Sequence, residues 1–136
     1  MDLTDEKILQ ILKHDSKVSL NKISNDVNLS TPSVRERIIK LKELGIIDKY
    51  TIDINYSLLG FNIEVFIDLL IKNNLYNDFK KFISEQSNVE FCYRISGESF
   101  FLFKARFRAM EDVETFIDQL QHFGHTKSHF VFSKIV

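Results

Sequence analysis

Residues 31–42, TPSVRERIIKLK, hold four cations, Arg35, Arg37, Lys40 and Lys42, against one carboxylate, Glu36. Guanidinium and ammonium groups at this density suit phosphate oxygens, and an arginine fork also matches the O6 and N7 acceptors of guanine. Hydroxyls gather at the same place, on Ser30, Thr31 and Ser33. At the start of a helix, hydroxyls and backbone N–H groups together suit a phosphate or a base edge. Arg35 is the best candidate for bidentate base contact. Arg37, next to Ile38, either joins it or ties its helix to the rest of the domain. Lys22 and Lys49 could touch flanking backbone. The plain alternative for any such cluster is a solvated helix face.

Other chemistry is thin. His122, His125 and His129 invite a metal reading, but Gly124 interrupts them and no Cys or carboxylate completes a set, so no metal site is expected. There is no glycine-rich phosphate loop, nucleophile elbow or pair of catalytic acids, so no catalytic residue, cofactor or enzyme activity is expected. The single cysteine, Cys92, excludes an internal disulfide framework, which favours a reducing, cytoplasmic setting. No run of about 18 apolar residues is present, so no membrane span is expected.

The 136 residues carry a net charge of −1. Residues 1–55 carry nine Lys/Arg and nine Asp/Glu. Bulk attraction to nucleic acid is therefore absent, and any such surface must be local.

The elements that would position these cations read as three helices over 4–47. Thr4 is a plausible N-cap for the first, with Asp5 and Glu6 in its first turn and Ile8, Ile11 and Leu12 as its apolar stripe. Ser19 could cap a short second helix that buries Leu20, Ile23 and Val27 and stops at Asn28, a residue that tolerates the left-handed conformation. Ser30 or Thr31 then caps the third helix, Pro32 stiffens its first turn, Val34, Ile38 and Leu41 face inward, and Gly45 ends it. So tight a turn between the second and third helices is helix-turn-helix geometry, in which the second helix of the motif enters the major groove.

Further along the chain, DKYTIDIN (48–55) reads as a β-rich run and SLLG as a joint. Residues 61–136 then read β-α-β-β-α-β, with strands at IEVFIDLLI, VEFCYRIS, FFLFKARF and HFVFSKIV and helices at NDFKKFISEQ and EDVETFIDQLQ. That is a ferredoxin-like layout. DFKKFI and DVETFI recur 34 residues apart, as in one duplicated βαβ unit. Ile63, Val65, Ile67, Leu69 and Ile71 should face the helices, with Val89, Phe91, Tyr93 and Ile95, and with Phe101, Phe103, Ala105 and Phe107. The opposite face keeps Phe66, Leu70, Cys92, Phe100, Leu102, Val131 and Ile135 among Glu64, Arg94, Lys104 and Arg106. An apolar face of that size calls for a partner, most simply a second copy.

The chain resembles the Lrp/AsnC family of regulators along nearly its whole length. The residues that carry the resemblance are DEKILQILKHDSKVS, LSTPSVRERIIKLKELGIIDKY, the LLG joint and the SG turn at Ser96 and Gly97. Ser30, Val34, Arg37, Ile38, Leu41, Gly45 and Ile47 fall where the family has them. The resemblance implies an α+β protein, with an N-terminal three-helix winged helix-turn-helix domain and a C-terminal ferredoxin-like βαββαβ domain. The first is expected over 1–47 (motif about 20–42), a linker strand and joint over 48–60, and the second over 61–136. It implies double-stranded DNA as partner, a homodimer or its tetramer or octamer, and an amino acid or other small effector at Gly97, Glu98, Ser99 and Phe100. The family's effector loop commonly has an aspartate where this chain has Phe100. Two other roles are consistent with the sequence: an effector-independent protein that wraps or bridges DNA, and a small-molecule-binding module without DNA binding.

Overall fold

The structure, a computed structural model, describes residues 1–72, 74–97 and 100–136; Glu98 and Ser99 of the expected effector site lie outside them. The chain forms two compact units, Met1–Ile54 and Asn55–Val136.

The first unit holds α1 (Leu3–His14), α2 (Leu20–Val27) and α3 (Thr31–Glu43). The cap of α1 is Asp2 rather than Thr4. Asp2 accepts from the Asp5 backbone N–H at 2.8 Å, and Asp5 accepts from the Asp2 N–H at 3.3 Å. This reciprocal pair satisfies two otherwise orphan donors, which moves the helix start towards the N-terminus. Ser19 caps α2, and Asn28 ends it in the left-handed region at φ 56°. Ile8, Ile23 and Val34 are the centre of the core, one from each helix, and Ile11, Leu12, Val18, Val27 and Ile38 pack around them.

Residues 48–55, expected as a strand, form none. Tyr50, Ile52 and Ile54 alternate as strand residues do, but all three are exposed, and no strand edge of their own unit is available to pair with them. The segment that a wing would use is thus open chain. A 3₁₀ turn comes next at Tyr56–Leu59, at the expected SLLG joint. It belongs to the second unit and packs on the end of the strand Phe100–Phe107. The Arg106 guanidinium lies 3.5 Å from the Tyr56 ring centre, Arg108 lies 4.1 Å from that of Phe61, and Arg108 donates to the Leu59 carbonyl.

The second unit is a four-stranded antiparallel sheet in the order β2-β3-β1-β4, with β1 (Ile63–Ile71), α4 (Tyr76–Ser84), β2 (Val89–Ile95), β3 (Phe100–Phe107), α5 (Met110–Gln121) and β4 (Gly124–Phe130). This is the ferredoxin-like arrangement that the element order predicted. Alternate residues of β1 and β3 turn inward, so Val65, Ile67, Leu69, Phe101, Phe103, Ala105 and Phe107 meet Phe79, Val113, Phe116 and Leu120 of the two helices. The duplicated helices meet through equivalent rings: Phe82 and Phe116 stack with centroids 6.1 Å apart.

Two strand expectations need correction. The last strand does not span 129–136. It starts at Gly124, where an added Cβ would come within 1.9 Å of the Leu70 carbonyl oxygen, so only glycine allows β4 to pair there against β1. Past Phe130 one further bond follows, from the Val131 N–H to Glu64 O at 2.9 Å, and the apolar residues Phe132, Ile135 and Val136 are exposed. In β2 the pairing shifts between Val89 and Phe91. Such a bulge reverses the inward and outward sense of the residues after it. Cys92 packs against the core, Arg94 pairs with the inward Phe101, and Phe91, Tyr93 and Ile95 go to the open face with Lys104, Leu102 and Phe100. Tyr93 is 59% and Ile95 41% exposed as a result.

Candidate nucleic-acid interface

Helix α3 is positioned from its first residue. Ser30 caps it, accepting from the Ser33 N–H and donating to Ser33 Oγ at 2.9 Å. Pro32 occupies the first turn, and the Val34 N–H bonds Ser30 O at 3.0 Å. Proline has no N–H, and those of Ser33 and Val34 are taken. The free backbone donor at this helix start is that of Thr31, which has no partner among the described residues. The Ser33 hydroxyl accepts from Ser30 and keeps its own hydrogen to donate. The preceding turn is held by the Asn28 N–H on Ser24 O, the Leu29 N–H on the same oxygen, and the Ser24 hydroxyl on Leu29 O. At the far end, Gly45 adopts φ 75°, and the Ile46 and Ile47 N–H groups close on Leu41 O.

The four cations of α3 are not alike. Arg37 is the only one of them with an ion pair among the described residues. Its Nη1 donates to Asp2 at 2.8 and 2.9 Å and to Asp5 at 3.0 Å. This answers one half of the choice left open by sequence: Arg37 ties α3 to the start of α1. The hydrogen bond from Arg37, aided by the Asp5 backbone N–H, holds the Asp2 carboxyl down at about 2, and the two carboxylates raise the arginine's pKa further. Arg35, Lys40 and Lys42 are exposed. Lys42 rests its ammonium 4.7 Å from the centre of the Tyr50 ring. An open groove of about 620 Å³ runs along one flank of α3, with Ser33, Glu36, Arg37 and Lys40 on its wall.

Sequence reasoning missed Asp2 and Asp5 as the anchor of Arg37, although their spacing, three residues apart at a helix start, is the signal of a capping pair. It also missed Tyr50 as a support for Lys42; nothing in the local pattern points to that contact.

The open sheet face is the other unpartnered surface. It presents Phe66, Leu70, Phe91, Tyr93, Ile95 and Leu102 beside a charged cluster. Lys104 bonds Glu64 at 2.8 Å and Glu90 at 3.2 Å, and Arg106 approaches Glu90 at 3.7 Å. His125 and His129 stand on β4 opposite Leu70 and Phe66, and His129 pairs with Asp68 at 3.3 Å. His122 sits at the end of α5 against Phe123. No group of three metal-ligating side chains forms among the described residues. Burial pushes the Cys92 thiol up to about 11, which favours its protonated form. Of the expected effector turn, Gly97 has φ 116°, and an added Cβ there would lie 2.9 Å from the Phe100 ring. The left-handed φ by itself favours glycine there, and a side chain would also press on that ring. No described helix is long and apolar enough to cross a membrane.

Known proteins share both units. Residues 1–42 match the AsnC-type helix-turn-helix domain and residues 64–136 the Lrp/AsnC ligand binding domain. The HTH-type transcriptional regulator LrpC of Bacillus subtilis is 36% identical over 135 residues, which span 99% of this chain and 94% of the relative. The solved structure of B. subtilis LrpC matches with a TM-score of 0.94 at 35% identity, covering 100% of this chain and 97% of that one. A transcriptional regulator of Neisseria meningitidis, solved as a complex with L-Met, matches with a TM-score of 0.92 at 27% identity, covering 100% of this chain and 92% of that one. A helix-turn-helix whose second helix is held in place and charged on its open side, followed by a ferredoxin-like unit and matched in both parts, places the chain in the Lrp/AsnC family of DNA-binding transcriptional regulators, which are not enzymes.

Proposed function

We propose that this regulator binds double-stranded DNA in the cytoplasm as a homodimer, with α3 of each copy in a major groove. Arg35 contacts base edges, and Lys40 and Lys42 contact phosphate. The Thr31 N–H and the Ser33 hydroxyl fix the start of the helix on the backbone. Ser30 and Arg37 serve the same surface indirectly, the first by capping α3 and the second by holding it to α1. The observation that carries this reading is the division of labour among the cations: one is neutralised by Asp2 and Asp5, while the rest lie exposed and free of ion pairs among the described residues.

The homodimer part rests on the open sheet face. Phe66, Phe91, Tyr93, Ile95 and Leu102 make a surface that water covers poorly and a second copy covers well. An amino acid or other small effector is assigned to the turn from Gly97 to Phe100, where the phenyl ring offers an apolar wall in place of the family's carboxylate. The test is binding of the purified chain to the DNA upstream of its own gene, against unrelated DNA of equal length, with sedimentation equilibrium run on the same samples. Preferred binding by a dimer is expected. A monomer that binds neither DNA contradicts the reading. Addition of each of the twenty amino acids should shift that binding for at least one; no shift from any removes the effector from the assignment.

A further inference from the structure

Among the cations of α3 stands an acid that faces outward. Glu36 lies two residues after the buried Val34 and five before the buried Leu41, so at 100° per residue it points away from the core. It is exposed, in the second turn of α3, between Ser33 and Lys40 on the wall of the groove. The adjacent Arg37 lies on a different side of the helix and is in any case held on Asp2 and Asp5. Lys40, at the i+4 position where a helical partner would sit, makes no ion pair with it among the described residues. The carboxylate is thus presented outward with its oxygens open to whatever α3 meets.

On a DNA surface this has two consequences. Near phosphates a free carboxylate weakens binding to every sequence alike. Against base edges it discriminates. It can accept from the exocyclic amine of cytosine, whereas the O6 and N7 of guanine and the O4 of thymine present acceptors that repel it. Specificity gained through such repulsion is as real as specificity gained through attraction. We propose that Glu36 is a specificity-determining residue that selects cytosine at one position of each half-site, at the expense of affinity for DNA in general. The proposal rests on the reading that α3 enters the major groove. It also gives a use to the near balance of charge in residues 1–55, which suits a protein that discriminates more than it adheres.

The test is selection from a random duplex pool by the full-length chain, followed by sequencing, for the wild type, Glu36→Ala and Glu36→Gln. Both substitutions place good helix formers at an exposed site, so the fold is retained. The wild type should enrich a motif with cytosine at one position per half-site. In Glu36→Ala the preference at that position should fall by roughly 5- to 150-fold, the range for a lost base-edge contact, while binding to unrelated DNA tightens. Glu36→Gln should move the preference at that position towards adenine, which a carboxamide reads through N6 and N7. An enriched motif that is identical in all three proteins, with affinity rising uniformly in Glu36→Ala, overturns the proposal and leaves Glu36 as a repulsive charge. Failure of the wild type to enrich any motif overturns the underlying reading of α3 instead, and the two failures are told apart by the wild-type pool alone.

Discussion

The two units solve opposite surface problems. The helical unit closes its core around Ile8, Ile23 and Val34 and leaves α3 polar and charged on the outside. The sheet unit closes one side of its sheet with interlocking phenylalanines and leaves the other side open, with apolar residues beside a charged cluster. A charged exterior on a small core suits a polyanion, which is met by ions and released by salt. An apolar face on a well-packed core suits a second copy of itself, which is met by excluding water. Within the helical unit the same contrast recurs at smaller scale: Arg37 is used for structure, and Arg35 and Lys40 are left for something outside the chain.

The largest effect that can sharpen this comparison is in the sheet core. Phe79→Ala should lower stability by about 3–5 kcal/mol, since Phe79 is fully buried and packs against Phe101, Phe103 and Phe123. Chemical denaturation gives the magnitude. Amide spectra of residues 1–54 should be unchanged in the folded variant, and widespread shifts there would break the separation of the two cores. Next is the open face. Leu102→Glu should weaken self-association by about 2 kcal/mol or more, because the carboxylate would be stripped of water at the interface. Sedimentation that shows an unaltered dimer would move the interface elsewhere. Arg35→Ala should weaken binding at the preferred DNA site by about 1–3 kcal/mol with little change on unrelated DNA; an equal loss on both would reduce Arg35 to a phosphate contact.

The smallest effect concerns the anchor of Arg37. The folded pKa of Asp2 is held at about 2, below its ordinary value of 3.8. A carboxyl depressed in this way contributes stability that is present above the ordinary value and lost as pH falls towards 2. Carboxyl carbon shifts in a pH titration should place the Asp2 midpoint near 2 and return it to the ordinary range in Arg37→Gln. An ordinary midpoint in the unsubstituted chain would mean that the clasp is not formed in solution.

Much of this was readable from the sequence because the signals were local. Ser19, Asn28, Ser30, Pro32 and Gly45 each punctuate a helix through chemistry within a few residues of themselves, and the structure uses each of them in that way. The period-2 faces of β1 and β3 are equally local. The features that escaped depended on partners distant in sequence. The bulge before Phe91 is set by how β2 docks on β3, so the faces of Cys92, Arg94 and Tyr93 came out reversed. The last strand was placed at the apolar run 129–136, whereas its position is set by the space that Gly124 leaves beside Leu70. The alternation at Tyr50, Ile52 and Ile54 is a strand signal without a strand, since pairing needs an edge that periodicity does not reveal. In the candidate interface, the identity of the cations was legible and their division was not: the anchor of Arg37 lies on Asp2 and Asp5, more than thirty residues earlier.

The most direct test of that division is the salt dependence of DNA binding for the unsubstituted chain, Lys40→Ala and Arg37→Gln, each confirmed as folded by circular dichroism. If Lys40 meets phosphate and Arg37 is held inside the helical unit, Lys40→Ala should lower the slope of log affinity against log salt by about one, while Arg37→Gln should keep the full slope and lose thermal stability. Equal losses of slope in the two variants would contradict the division, because Arg37 would then meet DNA as freely as Lys40.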